Sequence, residues 1–255
     1  MKQVLTCPQN RGHTFPRAVC NPPIMNVRSV AALVLVATTG LGVQPVEAQI
    51  DVNPSVHVFE PGGAPETTLI VTNSSAANAF VAVKAREVMA RGELDEKLRE
   101  DPDPETLGLI ATPSRIILEK GERRGIRIVA LGKPGGEDRV WRVLVSEVAG
   151  KVKEGESGVA FLLAYDVLVI QRPAEAQVAV SGKRNGNTLT LSNSGNSFGV
   201  ITEVRHCPTA RDCTKLPDNK RLYGGRSWTV TLPSETGTVE VVLQGLNARQ
   251  ETLRF

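Results

Sequence analysis

The chain is poor in the residues that most enzymatic centres need. It has three histidines in 255 residues, and only His57 and His206 lie beyond residue 48, far apart in sequence. A His-rich metal site is therefore excluded, and no H-E-x-x-H, phosphate-cradling glycine loop or EF-hand loop is present. Aromatic residues make up 4% of the chain and cysteines number four. Neither charge is in excess: 30 Lys and Arg stand against 27 Asp and Glu, a net of +3. Nucleic-acid binding needs concentrated basic charge and is not expected. No apolar run reaches the roughly 20 residues of a membrane-spanning helix. What remains, 41% hydrophobic and 22% charged residues with Gly 23 and Pro 16, is a globular composition with many turns.

Residues 25–48 read as a secretory signal peptide. Arg28 supplies the basic start, Ser29–Val43 the apolar run, and Val46-Glu47-Ala48 the small-residue cleavage site. Residues 1–24 show no periodicity and are read as an upstream extension, with the true start at Met25. Removing residues 1–48 leaves 26 basic and 26 acidic residues, and two cysteines, Cys207 and Cys213. In a secreted protein such a pair is expected to form a disulfide. Zinc is disfavoured because only His206 lies near, and a redox C-x-x-C spacing is absent.

The rest of the chain alternates as β-strands do. Thr68–Thr72, Ala79–Arg86, Arg115–Leu118, Gly125–Ala130 and Val140–Val148 are short β-branched runs separated by Gly, Pro, Asn and Ser. Gly92–Glu100, rich in Glu, Leu and Lys, reads as a charged excursion with at most one helical turn, ended by Asp101-Pro-Asp-Pro104. Gly158–Pro173 is the longest strand candidate, apolar on both faces. A fresh β pattern begins at Val178, so the domain boundary is placed near 173, giving domains 49–173 and 174–255. In the second, Asn185-Gly-Asn signals a hairpin, followed by strands at Gly199–Arg205, Ser227–Leu232, Thr238–Leu243 and Glu251–Phe255. The expected fold is all-β, with two immunoglobulin-like sandwiches.

Two local patterns invite a chemical reading. Gly195-Asn-Ser-Phe-Gly199 matches the nucleophile elbow G-x-S-x-G, but a strand and not a helix follows Ser197, and His206 is too close in sequence for a triad. It is read as a turn. Asn73-Ser-Ser matches a glycosylation sequon, relevant only in a eukaryotic secretory pathway. No enzymatic activity and no cofactor are expected.

Several stretches together resemble the periplasmic pilus chaperones, the PapD-like family. They are Ala111-Thr-Pro-Ser-Arg-Ile-Ile-Leu118 with Gly121 and Gly-Ile-Arg127-Ile-Val, and Val143-Leu-Val-Ser-Glu147-Val. The long strand ending in Arg172-Pro173, Leu189-Thr-Leu-Ser-Asn193-Ser-Gly-Asn196 and Leu222-Tyr-Gly-Gly-Arg-Ser-Trp228 complete the set. The resemblance covers about residues 50–255. It implies two immunoglobulin-like domains in an L arrangement, and a strand lent to an incomplete fimbrial subunit so that the subunit's edge is paired and its groove filled. Partners would be fimbrial subunits and an outer-membrane usher, with no membrane span once the signal is cleaved. An empty donor strand could also pair with a second copy.

On the matching strand, Val159, Phe161, Leu163 and Tyr165 form one alternating row and are expected to fill the groove. The alternative is that this row packs into the chain's own core, with Ala160, Leu162 and Ala164 facing out. The family's Arg and Lys that anchor a subunit carboxylate are replaced here by Val56 and Leu168, so the chain reads as a divergent branch. Arg86 and Arg115 are the substitute candidates. Glu147, Arg172 and Glu235 match an interdomain ionic cluster. The rival function is a secreted two-domain adhesion or structural protein.

Overall fold

A computed structural model describes residues 50–93, 95–148, 162–209, 211–217 and 219–255. The segments read as an upstream extension and a signal peptide, and Val159 and Phe161, lie outside the described residues.

Before residue 173 the described residues form ten strands: β1 (Ile50–Asn53), β2 (Val56–Phe59), β3 (Glu66–Asn73), β4 (Ala79–Val88), β5 (Leu98–Arg99), β6 (Leu109–Thr112), β7 (Arg115–Leu118), β8 (Arg123–Ala130), β9 (Arg139–Glu147) and β10 (Ala164–Gln171). They form two sheets, β1-β3-β8-β6 and β2-β10-β9-β4-β5, with β7 also on β4. Inward residues of both sheets, among them Leu69, Val71, Ile126, Ile128, Trp141, Val143, Val167 and Val169, make one core. The period-2 burial of β3, β8 and β9 shows why β-branched alternation selects this packing.

The second half holds β11 (Val180–Asn185), β12 (Thr188–Asn193), β13 (Gly199–Thr209), β14 (Asp212–Lys215), β15 (Lys220–Leu222), β16 (Ser227–Thr231), β17 (Thr238–Gln244) and β18 (Gln250–Arg254). Their sheets are β11-β12-β16 and β14-β13-β17-β18, with β15 also on β13. A separate core forms around Leu189, Leu191, Ile201, Val204, Val239, Val241 and Leu243. Asn185 opposes Thr188 across a two-residue turn at Gly186-Asn187, where Gly186 has φ 58°. Cys207 and Cys213 are disulfide-bonded and tie β13 to β14.

Two expectations need correction. The helical turn is not in Gly92–Glu100 but at α1 (Pro104–Leu107), starting inside the segment expected to end it. Asp103 caps it by accepting from the backbone N–H groups of Glu105 and Thr106, and Pro104 occupies the first helical position. Asp-Pro is thus a start signal here, because proline needs no N–H partner in the first turn. The long strand expected from Gly158 is a described strand only from Ala164.

Candidate functional site

Among the described residues, the donor candidate β10 is paired along its whole length on one edge and only from Leu168 onward on the other. It pairs antiparallel with β9 along its length, from Ala164 opposite Ser146 to Gln171 opposite Arg139. On its other side the parallel ladder to β2 starts at Leu168, opposite Val56, and its first bond runs from Leu168 N to Ser55 O at 3.0 Å. Leu163 O accepts from Glu147 N at 3.0 Å. Odd-numbered residues therefore turn their backbone groups toward β9, and even-numbered ones turn theirs away. Upstream of Leu168 the even set is Leu162, Ala164 and Asp166, with no described strand beside them. Among the described residues, that edge is a template for one more strand.

Side chains at this edge follow the same alternation. Leu163 and Tyr165 are half-buried against the first core, and the Tyr165 hydroxyl donates to Ile50 O at 3.1 Å. At these two positions the row expected to be donated faces the chain's own core. The freely exposed side chains are Leu162 and Ala164, because β1 covers the inner face.

The strand register sorts the outer face of this sheet into transverse rows. Arg115, Ala82, Ser146 and Ala164 are successive partners across β7, β4, β9 and β10; Lys84, Leu144 and Asp166 form the next row. Arg86, Arg142, Leu168 and Val56 follow. Val56 and Leu168, expected to stand where the family has its cations, are thus direct partners. Arg86 shares their row, but its Nη2 lies 2.7 Å from Asp166 Oδ1. Arg142 is held in bidentate fashion by Glu96, with both contacts at 2.9 Å. Arg115 is exposed on β7, three strands from β10. A 180 Å³ pocket beside Leu168 is also lined by Arg142, Lys220 and Arg221.

Where the two halves meet, Val88, Val140, Leu168 and Ile170 pack on Phe198 and Tyr223. Asp138, just ahead of β9, accepts from the Ser197 hydroxyl and from Phe198 N, each at 2.7 Å. Arg172 Nη1 donates to Ser197 Oγ at 2.5 Å and to Phe198 O at 2.9 Å, and its guanidinium lies 3.9 Å from the Phe198 ring centre. Its Nε is 3.1 Å from Glu60 Oε2. Asn196 Nδ2 donates to Gly136 O and Glu175 O, Arg91 Nη1 donates to Asp138 O, and Arg226 pairs with Glu93 at 3.2 Å. Burial pushes the Asp138 carboxyl above its ordinary range, against the opposing pull of Ser197, Phe198 N and Arg172.

The joint is therefore ionic and includes Arg172, but its other members differ from those expected. Glu147 sits at the far end of β9, opposite Val81, whereas Arg172 follows the Gln171–Arg139 pair at the near end. Glu235 lies beside Gly186 at the β11–β12 turn. Glu60 and Asp138 are the acids at Arg172. Ser197, the elbow-like serine, is 0% exposed and is a joint residue.

The fold has counterparts among solved structures. The chain superposes on the class 5 fimbriae chaperone CfaA with a TM-score of 0.62 at 20% identity, covering 81% of this chain and 97% of that one. The fold is that of the fimbrial chaperones. The Salmonella enterica SafB chaperone in complex with the SafA pilin gives a TM-score of 0.59 at 14% identity, covering 82% and 96%. The CsuC–CsuE chaperone–tip complex of Acinetobacter baumannii gives 0.55 at 15%, covering 81% and 98%. By sequence, the chain is 22% identical over 189 residues to a CFA/I fimbrial subunit of Escherichia coli, 69% of this chain and 79% of that protein. It is 25% identical over 192 residues to a CS1 fimbrial subunit of Escherichia coli, 70% and 76%. No family model matches.

Sequence reading misses Asp138, Glu60 and the joint role of Ser197-Phe198. The available signal is the G-x-S-x-G pentapeptide itself.

Proposed function

We propose that the chain is a periplasmic chaperone that captures fimbrial subunits by lending them the strand leading into β10. The observation that carries this reading is the open β10 edge between Leu162 and Leu168, on a chain with the fimbrial-chaperone fold. A subunit strand laid there would pair the outward backbone groups of Leu162, Ala164 and Asp166 and stop the template from recruiting other chains. Val159 and Phe161, upstream, are the proposed groove-filling side chains; Leu163 and Tyr165, in the same alternating row, are packed against the chain's own core and anchor the strand instead. The joint would hold the second half at a fixed angle, so that both halves meet one subunit.

A subunit carboxylate would need cations near Leu168. Arg86 is in the same transverse row and is the better placed of the two candidates; Arg115 is the more remote. The signal peptide would deliver the chain to the periplasm, and an outer-membrane usher would take over the captured subunit.

The test is to purify the tagged mature protein from its host's periplasm and identify what co-purifies. A small β-rich secreted subunit in one-to-one ratio is expected. Recovery of the chain alone, while secreted subunits are demonstrably expressed, would overturn the reading.

A further inference from the structure

Two kinds of contact join the halves. One is the buried joint of Asp138, Arg172, Ser197 and Phe198. The other is at the surface. There the chain leaving β4 reaches across as Arg91-Gly92-Glu93 and meets the turn Tyr223–Arg226 of the second half. Gly92 has φ 75°, and a Cβ on it would lie 3.1 Å from the Tyr223 ring. Glu93 Oε1 is 3.2 Å from Arg226 Nη2. Among the described residues this is the one ion pair between a residue before 173 and a residue after it. Each side of the contact is firmly seated on its own half. Arg91 Nη1 donates to Asp138 O at 2.5 Å, and Arg91 also pairs with Glu137. In the turn, Arg226 N donates to Tyr223 O at 3.2 Å and Gly225 N to Asn193 O at 2.8 Å. Gly224 is pressed on the neighbouring corner, where a Cβ would lie 2.6 Å from Gly195 O. The bond between the two sides is weak by comparison. The Glu93 and Arg226 side chains are 48 and 45% exposed. An exposed pair of this kind biases an equilibrium only a few-fold and is weakened by salt.

We infer that Gly92-Glu93 and the Tyr223–Arg226 turn form a releasable latch, which sets how wide the cleft between the halves stands open beside Leu168. The pocket there has walls from both halves: Gly92, Glu93 and Leu168 from the first, Lys220, Arg221 and Tyr223 from the second. Its width therefore depends on whether the latch holds. The joint keeps the halves together in either state, because its hydrogen bonds are buried and salt screens them little. With the latch closed the chain holds one angle. With it released, the halves turn about the joint and the cleft widens. A buried pair in this place would lock the cleft shut; the exposed one leaves both states within reach. Gly92 suits the closed state, since any other residue would be strained at φ 75° and would hold the loop off the Tyr223 ring. The latch is a property of the chain alone and operates with no subunit bound.

The test measures, in the full-length protein without any subunit, the distance between spin labels carried by non-natural residues at Lys120 and Lys183. Both positions are exposed, one in each half. In dilute salt one main distance is expected, with a small second population. In about 1 M salt, where charges are screened beyond roughly 3 Å, that second population should rise about threefold. Glu93→Gln should give the same rise in dilute salt and remove the response to added salt. Glu93→Arg combined with Arg226→Glu should restore the narrow distribution and the salt response. Each variant is expected to melt like the unaltered protein, because both side chains are half-exposed. A distribution that neither salt nor Glu93→Gln changes would overturn the inference, and so would a change that the charge swap fails to reverse. If a variant melts early, the salt titration of the unaltered protein decides by itself.

Discussion

The two halves share one lock and use the corner behind it in opposite ways. In the first half, Asn73 Nδ2 donates to Ala77 O and Leu118 O, and Ser75 N donates to its Oδ1. In the second, Asn193 Nδ2 donates to Ser197 O and Leu222 O, and Gly195 N donates to its Oδ1. The backbones match too: Gly121 N bonds Asn73 O and Gly225 N bonds Asn193 O, with the two glycines at φ 73° and 70°. Each asparagine satisfies a buried strand end that no sheet neighbour reaches. Beyond the lock the halves diverge. The loop after Asn193 carries Asn196, Ser197 and Phe198 into the joint. The corner after Asn73 stays in solvent and leads to exposed Phe80. Among the described residues, every exposed large hydrophobic belongs to the first half. In the second half the corner is buried in the joint, and in the first it is exposed.

Several substitutions can break or sharpen this contrast. The largest effect is expected from Asp138→Ala, which leaves the Ser197 hydroxyl and Phe198 N without their acceptor in a buried joint and removes one of the two acids near Arg172. The loss should be about 3–4 kcal/mol in denaturant melts; a loss under about 1 kcal/mol would remove Asp138 from the joint's energetics. The same residue gives a pH signature. Because burial raises its pKa, the folded chain holds this proton more tightly than the unfolded chain does. Its contribution to stability is therefore greatest at low pH and is lost as pH climbs from the ordinary value of 3.8 through the raised one. Across that window the slope should be steeper in the unaltered protein than in Asp138→Asn, because Glu147, also raised by burial, contributes a slope of the same sign to both.

Next come the locks. Asn73→Ala and Asn193→Ala should each cost about 2–3 kcal/mol. Only Asn193→Ala should also loosen the angle between the halves, seen as a changed small-angle scattering profile; equal profiles would mean that the lock and the joint are independent. Replacing Cys207 and Cys213 with serine opens a short loop and should lower stability by roughly 2 kcal/mol, without affecting subunit capture. The smallest effect on stability, within about 0.5 kcal/mol, belongs to Phe80→Ser.

Strand positions are legible because alternation is local. β3, β4, β8 and β9 each begin or end within two residues of the runs that announce them, and the disulfide follows from compartment and pairing. The turn at α1 escapes because a proline that stops one helix is also the residue best suited to start another. The joint is not legible in the same way. Asp138 and Ser197 are brought together by the packing of one sandwich on another, and nothing in their spacing announces it. Glu147 fits by motif, yet the β4–β9 register sends it to the wrong end of the strand. The facing of Leu163 and Tyr165 is undecidable from period 2 alone, since both rows of the long strand are apolar; β1, covering one face, decides it.

The most direct test of strand donation is residue-resolved amide exchange of the protein, free and bound to its subunit. The amides of Ala164 and Asp166 point away from β9 and should exchange fast in the free protein and become protected in the complex, while the odd-numbered amides toward β9 change little. Protection confined to residues elsewhere, with Ala164 and Asp166 still exchanging freely, would contradict strand pairing at β10.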